Sequence, residues 1–226
     1  MHHLVKRRLA GVGARLGASG VGRLRRIASH LELGHWLRSV GHALPPERGL
    51  VNRWPVLDIA LAGMGTAKPL YLEFGVFTGQ SLRYVAERLP SPRARFIGFD
   101  SFQGLPETWR HDIPRGAFSL QGRAPVFEDS RISVVSGWFD ETLSSFEPPE
   151  FDRLLINVDV DVYSSARSVL LHVERFLHPG TLLYLDEFND SGNELRAFRE
   201  LIERTGLRFR IRAASRCLSH WLFEFV

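Results

Sequence analysis

The chain has 226 residues, of which 44% are hydrophobic and 11% aromatic, and this composition suffices for one well-packed domain. A single cysteine, Cys217, excludes an intrachain disulfide, and no cysteine spacing indicates a zinc site. The sequence contains no run of about 18 apolar residues, which argues against a membrane-spanning helix. We therefore expect a cytoplasmic protein, in keeping with a reducing compartment.

The formal net charge of +4 is concentrated at the N-terminus. Residues 1–40 contain Lys6 and seven arginines but only one acid, Glu32, so this segment has a net charge of +7. The rest of the chain therefore carries a net charge of −3. An acidic domain without an Asn-Pro-Pro-Tyr/Phe motif argues against a nucleic-acid substrate.

We interpret residues 1–50 as a basic helical arm that precedes a domain of residues 51–226. Leu24, Ile27 and Leu31 recur at helical spacing among the arginines of this arm. Such a helix can cap the domain, pair with a second subunit to form a homo-oligomer, or lie on anionic lipid. An organellar transit peptide also remains open, because the segment is rich in arginine and nearly free of acids.

From residue 69 onward, short apolar runs alternate with amphipathic stretches, which indicates βαβ units around a parallel sheet. Nearly continuous apolar runs predict five strands covered on both faces: 69–75, 95–100, 132–137, 153–159 and 180–188. Helical periodicity predicts the helices that alternate with them: 80–89, 139–146, 164–177 and 191–205. Two alternating segments after Gly206 predict a hairpin that closes one edge of the sheet.

One long segment, residues 101–130, does not follow this alternation of strands and helices. It carries three prolines, three glycines and no sustained period. A structureless segment of this length in a compact domain is usually a lid or a binding loop. It follows a strand end directly, on the side where open α/β sheets hold ligands.

The stretch LEFGVFTGQS, residues 72–81, places Gly75 and Gly79 in the turn between the first strand and the next helix. Glycines there let the backbone approach a ligand, and the helix start supplies free N–H groups. The spacing is neither G-x-G-x-x-G nor a P-loop. Asp100, at the end of the second strand, can accept hydrogen bonds from both hydroxyls of a ribose. Together these features predict a nucleoside-binding site.

A second cluster is expected at the ends of the fourth and fifth strands, where the sequence has Asp159, Asp161, Asp186 and Glu187. Ends of neighbouring parallel strands meet at one edge of a sheet, so these carboxylates should converge. Burying them is costly unless a cation, a proton or hydrogen bonds compensate. Oxygen ligands suit Mg²⁺ or Ca²⁺, and a hard cation can bind a hydroxyl group and lower its pKa.

Further motifs extend the pattern in sequence order: GFDSFQGLPETW, GAFSLQG, SGWFDETL, DVDVYSSARSVL and PGTLLYLDEF. Over residues 70 to about 200 the chain resembles the macrocin O-methyltransferase-like family of class I S-adenosylmethionine-dependent methyltransferases. The resemblance implies a Rossmann-like α/β fold, with helices on both faces of a mostly parallel seven-stranded sheet. It also implies O-methylation of a small-molecule acceptor, such as the hydroxyl group of a sugar or a secondary metabolite.

By the same resemblance, nine residues are expected to bind S-adenosylmethionine: Glu73, Gly75, Gly79, Ser81, Asp100, Ser101, Gly137, Trp138 and Asp159. The glycine turn and Ser81 would hold the amino-acid end of the cofactor, with Glu73 supporting the turn or the ammonium group. Asp100 would bind the ribose, and Gly137 and Trp138 would border the adenine. For Trp138, plain core packing is the alternative.

The resemblance also implies a Mg²⁺ site formed by Asp159, Asp186 and Glu187. For catalysis we expect Asp159, Asp161 and His111. His111 lies in the long loop and could act as a base once that loop closes, because histidine titrates near neutral pH. The chain departs from the family at DEFNDSGNE, where Asn193 and Glu194 stand in place of a His-Glu pair. This departure leaves open that Asp159 contacts the cofactor ammonium instead of a metal, or that the protein binds the cofactor without turnover.

Overall fold

The computed structural model describes residues 2–65 and 68–226. Seven strands form a single sheet: β1 (Pro69–Phe74), β2 (Arg95–Asp100), β3 (Ile132–Ser136), β4 (Arg153–Val158), β5 (Leu182–Leu185), β6 (Phe209–Ala214) and β7 (Trp221–Phe225). Their order across the sheet is β3-β2-β1-β4-β5-β7-β6. The first five strands pair in parallel, whereas β7 is antiparallel to β5 and β6. The mostly parallel seven-stranded sheet and its closing hairpin are thus confirmed.

Helices precede the sheet and alternate with its strands: α1 (His2–Arg15), α2 (Ala18–Ser39), α3 (Arg53–Ala62), α4 (Gln80–Arg88), α5 (Phe139–Thr142), α6 (Tyr163–Val173) and α7 (Glu194–Thr205). None of the described helices is long and apolar enough to cross a membrane. The predicted strand 180–188 is shorter than expected, because Gly180 lies in the preceding turn and regular pairing ends at Leu185.

The two faces of β1 show how helices cover both sides of the sheet. Leu70, Leu72 and Phe74 pack in the core layer that includes α6 and α7. Tyr71 points the other way, into the layer formed with α3 and α4. Successive side chains of a strand alternate between faces, so a strand buried on both sides is apolar nearly throughout. This arrangement leaves the carboxyl ends of the strands as the place for polar side chains.

The N-terminal arm joins this core through the second half of α2. Leu33, Trp36 and Leu37 are buried there. Three aromatic side chains surround the Trp36 ring at centroid distances of 5.9 to 6.1 Å: Phe188, Phe198 and Phe209. Leu24, Ile27 and Leu31, in contrast, are exposed. The end of the arm therefore caps the domain, while the apolar side chains that indicated a helix in the sequence face outward.

Substitution of Trp36 should measure how much this cap contributes to stability. Trp36→Ala removes a ring packed against three others and should lower the free energy of unfolding by about 3 to 5 kcal/mol. Ile27→Ala, on the exposed side of the same helix, should change it by less than about 0.5 kcal/mol. Urea unfolding of both variants measures the difference. Equal stabilities would contradict the packing of α2 on the domain.

Candidate active site

A cavity lies where the strand order reverses, between β1 and β4. At such a point the loops after neighbouring strands diverge and leave a crevice at the carboxyl edge of the sheet. The cavity has a volume of about 540 Å³, which is within the usual range for small-molecule sites. Its walls come from the segments that follow all five parallel strands and from the start of α3.

Seven of the nine residues predicted to bind the cofactor line this cavity: Gly75, Ser81, Asp100, Ser101, Gly137, Trp138 and Asp159. Asp161, Asp186 and Glu187 line it as well. Glu73, Gly79 and His111 are not part of its wall. The structure thus brings the two predicted clusters, the glycine turn and the acidic strand ends, into one cavity.

The glycine turn approaches the neighbouring strand very closely. A Cβ atom on Gly75 would lie 1.8 Å from the carbonyl oxygen of Asp159, and the backbone there has a φ of 89°. Gly79 directly precedes α4 with a φ of 76°, and a Cβ atom there would lie 2.5 Å from the Phe127 ring. Only glycine tolerates these positions without strain. The requirement for glycine comes from nearby atoms of the protein itself, the Asp159 carbonyl and the Phe127 ring.

Asp100 connects the two loops that follow β1 and β2. Its Oδ2 accepts a hydrogen bond of 2.8 Å from the backbone N–H of Phe77, and its Oδ1 accepts one of 2.7 Å from that of Phe102. A carboxylate offers about four acceptor positions, so both oxygens can still accept from ligand hydroxyls. The side chain is therefore held in place at the cavity wall before a ligand arrives.

Glu73 lies beneath the cavity in a fully buried polar network. Its Oε2 accepts a hydrogen bond from the hydroxyl of Tyr71 at 2.5 Å, and its Oε1 accepts one from the hydroxyl of Ser81 at 2.9 Å. Asn157 donates a longer bond of 3.4 Å. Burial raises the pKa of Glu73 from 4.5 to about 8. In this structure Glu73 supports the first turn of α4 through Ser81 and does not face the cavity.

This raised pKa predicts a pH dependence of stability. The folded state binds the Glu73 proton more tightly than the unfolded state, so the resulting stabilisation is complete below pH 4.5 and is lost as the pH rises towards 8. In that window the free energy of unfolding of the wild type should fall by up to about 1.4 kcal/mol per pH unit because of Glu73. Glu73→Gln has a neutral side chain of similar shape and should not show this fall.

Urea unfolding between pH 5 and pH 8 tests this expectation, and Glu87→Gln on the exposed surface of α4 is the matched control. Other buried carboxylates titrate in all three proteins, so the difference between wild type and Glu73→Gln isolates Glu73. Parallel pH profiles for these two proteins would contradict a proton held at Glu73.

The acidic side of the cavity holds four carboxylates, as the sequence predicted: Asp159, Asp161, Asp186 and Glu187. Burial is the largest cause of a raised pKa in each of them, and their mutual repulsion adds to it. The pKa reaches about 7 for Asp159, Asp161 and Glu187. Such a cluster needs nearby positive charge to remain ionised.

Arg53, which the sequence analysis did not identify, supplies positive charge at the centre of this cluster. Its Nη1 donates to Asp159 Oδ2 at 2.6 Å, and its Nη2 donates to Asp186 Oδ2 at 2.8 Å. Burial acts to lower the pKa of Arg53, but the two carboxylates outweigh it and raise the pKa. The sequence indicated only the general requirement that a cation, a proton or hydrogen bonds compensate such buried acids, and it did not indicate Arg53.

Two more contacts hold the acidic segment after β5. Arg110, from the long loop, approaches Glu187 Oε2 at 3.4 Å while its guanidinium stacks on Trp109. Glu194 is fully buried, and its carboxylate accepts hydrogen bonds from the backbone N–H groups of Glu187 at 3.0 Å and Val160 at 3.4 Å. Glu194 therefore ties the ends of β4 and β5 together, in the region where the family has a His-Glu pair and this chain has Asn193 and Glu194.

These contacts do not fit the predicted Mg²⁺ site. Within residues 2–65 and 68–226, no group of three or more His, Cys, Asp or Glu side chains is arranged to hold a metal ion. The predicted ligands Asp159 and Asp186 are joined to Arg53. A metal ion would have to displace a guanidinium held by two charge-assisted hydrogen bonds.

Of the predicted catalytic residues, Asp161 faces the cavity and His111 does not. The carboxylate of Asp161 accepts no hydrogen bond from the part of the chain that the structure describes, and its backbone adopts a φ of 64°. Such left-handed backbone in a non-glycine residue often marks a functional site. The His111 side chain is 62% exposed and lies 3.6 Å from Asp112. The structure therefore offers Asp161, and not His111, to a ligand in the cavity.

The long loop of residues 101–130 lies over the cavity, as expected for a lid. Leu105, Pro106, Trp109 and Phe118 contribute to the wall. Phe118 contacts Phe77 of the glycine turn edge-on, with ring centroids 5.8 Å apart. The loop also folds on itself, because the backbone N–H of Leu105 donates to Ala117 and that of Gly116 donates to Leu105.

Comparisons with known proteins agree with this arrangement. Residues 72–188, more than half of the chain, match the model of a family described as a methyltransferase domain. No curated protein matches the chain.

Three solved structures share the fold. The crystal structure of CalS11, a calicheamicin methyltransferase, has a TM-score of 0.59 and 21% identity, covering 77% of this chain and 80% of that one. An apo structure of CalS11, described as a TDP-rhamnose 3'-O-methyltransferase, has a TM-score of 0.53 and 19% identity, covering 88% and 93%. The O-methyltransferase NovP has a TM-score of 0.53 and 17% identity, covering 76% of each chain. At these identities the similarity shows the fold alone.

Proposed function

The chain belongs to the methyltransferase-domain family and is an S-adenosylmethionine-dependent methyltransferase, and we propose that its acceptor is a hydroxyl group on a small molecule. The observation that supports this proposal is one cavity of about 540 Å³ that is lined both by the glycine turn with Asp100 and by the carboxylates at the ends of β4 and β5. The loop of residues 101–130 contacts both walls, through Phe118 at Phe77 and through Arg110 at Glu187.

The residues present fit S-adenosylmethionine on the side of the glycine turn. Gly75 leaves the wall open next to Ser81, and Asp100 is held with free acceptor positions for ribose hydroxyls. Gly137 and Trp138 line the same cavity after β3, where they would border the adenine. When bound, S-adenosylmethionine supplies a methyl group attached to a positively charged sulfur that leaves readily.

The carboxylate wall would bind the acceptor. Asp161 would accept the proton of the reacting hydroxyl group, since it lines the cavity and its carboxylate accepts no hydrogen bond from the described part of the chain. Asp159 and Asp186 keep their positions through Arg53, and they would orient further hydroxyl groups. Positioning of this kind supplies much of the rate enhancement in a displacement reaction.

A sugar-like acceptor is supported by three observations. The carboxylates accept hydrogen bonds and therefore suit a molecule with several hydroxyl groups. The motif blocks of residues 70 to about 200 resemble the macrocin O-methyltransferase-like family. In addition, the CalS11 structure with this fold is described as a TDP-rhamnose 3'-O-methyltransferase, a description that applies to that protein. We therefore propose membership of the macrocin O-methyltransferase-like branch.

Binding of the cofactor product tests the nucleoside wall. Asp100→Ala should weaken the affinity for S-adenosylhomocysteine by about tenfold or more, because hydrogen bonds to a charged group are lost. Asp112→Ala, in the exposed part of the lid loop, is the control and should bind as wild type does. Isothermal calorimetry on both variants provides the measurement. An unchanged affinity in Asp100→Ala would remove the ribose assignment.

Methyl transfer itself tests the acceptor assignment. Radiolabelled S-adenosylmethionine is incubated with free sugars, nucleotide-linked sugars and phenols, and the site of methylation is read by mass spectrometry and NMR. For the best acceptor, Asp161→Asn should lower kcat by about 100-fold or more, since it removes the proton acceptor. Its affinity for S-adenosylhomocysteine should stay at the wild-type value. Transfer to nitrogen only, or a kcat unaffected by Asp161→Asn, would contradict the proposal.

A further inference from the structure

Arg53 lies at the point where the acidic ends of β4 and β5 meet. One terminal nitrogen of its guanidinium contacts Asp159 at 2.6 Å, and the other contacts Asp186 at 2.8 Å. These carboxylates belong to neighbouring strand ends, so a single side chain bridges them. Asp159 and Asp186 are also two of the three residues that the sequence predicted as metal ligands. The guanidinium therefore holds the carboxylates that a divalent ion would need.

The position of Arg53 is fixed by the fold. It is the first residue of α3, where the side chain of the preceding Asn52 accepts a hydrogen bond of 3.2 Å from the backbone of Trp54. Val56 and Leu57, one turn further, are completely buried against the sheet. A helix that is capped and anchored in this way holds its first side chain over the cavity.

The Asp186 carboxylate and the Asp159 backbone have further partners in the fold. The other oxygen of Asp186 accepts a hydrogen bond of 2.7 Å from the Tyr184 hydroxyl, and His220 lies 3.7 Å away. The backbone N–H of Asp159 bonds to Phe74 of β1 at 2.9 Å. The ion pairs of Arg53 thus join segments that the fold holds in place, unlike an ion pair between flexible surface side chains.

We propose that Arg53 is the resident cation of the acceptor site, in the place of a divalent metal ion, and that methyl transfer by this protein is independent of metal. A guanidinium has five N–H donors, of which two contact carboxylates here. Arg53 lines the cavity, so its remaining donors can bind the acceptor oxygen as it loses its proton to Asp161. A fixed positive charge at that position stabilises the developing negative charge. This inference rests on the proposed function.

Mn²⁺ alone is the probe for the test, because it reports binding by electron paramagnetic resonance without cofactor or acceptor. The full-length wild-type chain, titrated near neutral pH, should show no specific Mn²⁺ site. Arg53→Met should free Asp159 and Asp186 beside Glu187 and bind Mn²⁺ at least about tenfold more tightly than wild type. Arg53→Lys retains one positive charge and should bind no better than wild type.

Arg110→Met is the matched control for the loss of one positive charge from the same cluster. Among the described residues, Arg110 forms an ion pair with Glu187 alone and bridges no pair of carboxylates. This variant should therefore gain little affinity for Mn²⁺. If Arg110→Met gains as much as Arg53→Met, general charge repulsion explains the result and the proposal is overturned.

Two other outcomes overturn it. A specific Mn²⁺ site in the wild-type chain shows that a metal ion displaces the arginine, and this measurement needs no variant to fold. If the Arg53→Met variant folds but gains no affinity for Mn²⁺, the Arg53 guanidinium does not occupy the position of a metal ion. The proposed function is tested separately, because wild type that fails to bind S-adenosylhomocysteine contradicts that function whatever the Mn²⁺ titration gives. Chelator should leave wild-type methyl transfer unchanged.

Discussion

The close approach of β1 and β4 at their carboxyl ends governs the rest of this site. A Cβ atom on Gly75 would come within 1.8 Å of the Asp159 carbonyl oxygen, so the two strand ends meet with no side chain between them. The first effect is that Gly75 lines the cavity on the side that we propose for the nucleoside. The second is that Asp159 and its neighbours are drawn into a poorly solvated cavity, where their charges require compensation.

Compensation comes from within the chain, and it differs between the acids. Glu73 and Glu194 are fully buried and accept hydrogen bonds from hydroxyl or backbone N–H groups, so they stabilise the segments around the cavity. Asp159 and Asp186 face the cavity and share the guanidinium of Arg53. Asp161 has neither kind of partner among the described residues. Burial raises the pKa of Asp161, and the nearby charges of Arg110 and Arg53 act to lower it without a hydrogen bond to Asp161, which leaves its carboxylate free for a ligand.

Under the proposed function, the same cavity would hold both reactants of a methyl transfer. Residues after β1, β2 and β3 form the wall that we propose for the methyl donor, and residues after β4 and β5 form the wall that we propose for the acceptor. The lid loop of residues 101–130 contributes to the enclosure, and its Asp100 anchor holds the first and second loops together. Membership of the methyltransferase-domain family agrees with a cavity that binds a methyl donor.

Patterns in the amino-acid sequence predicted the sheet and the outline of the site. Apolar runs located the five parallel strands, and the rule that ligands bind at strand carboxyl ends brought Gly75, Asp100 and Asp159 together in advance. Only the tertiary structure decided which partners these residues have. Arg53 contacts side chains 106 and 133 positions away, and no local pattern encodes such a pair. The exposure of His111 and the burial of Trp36 were decided in the same way, because packing between distant segments, and not local periodicity, determines which side chain meets which.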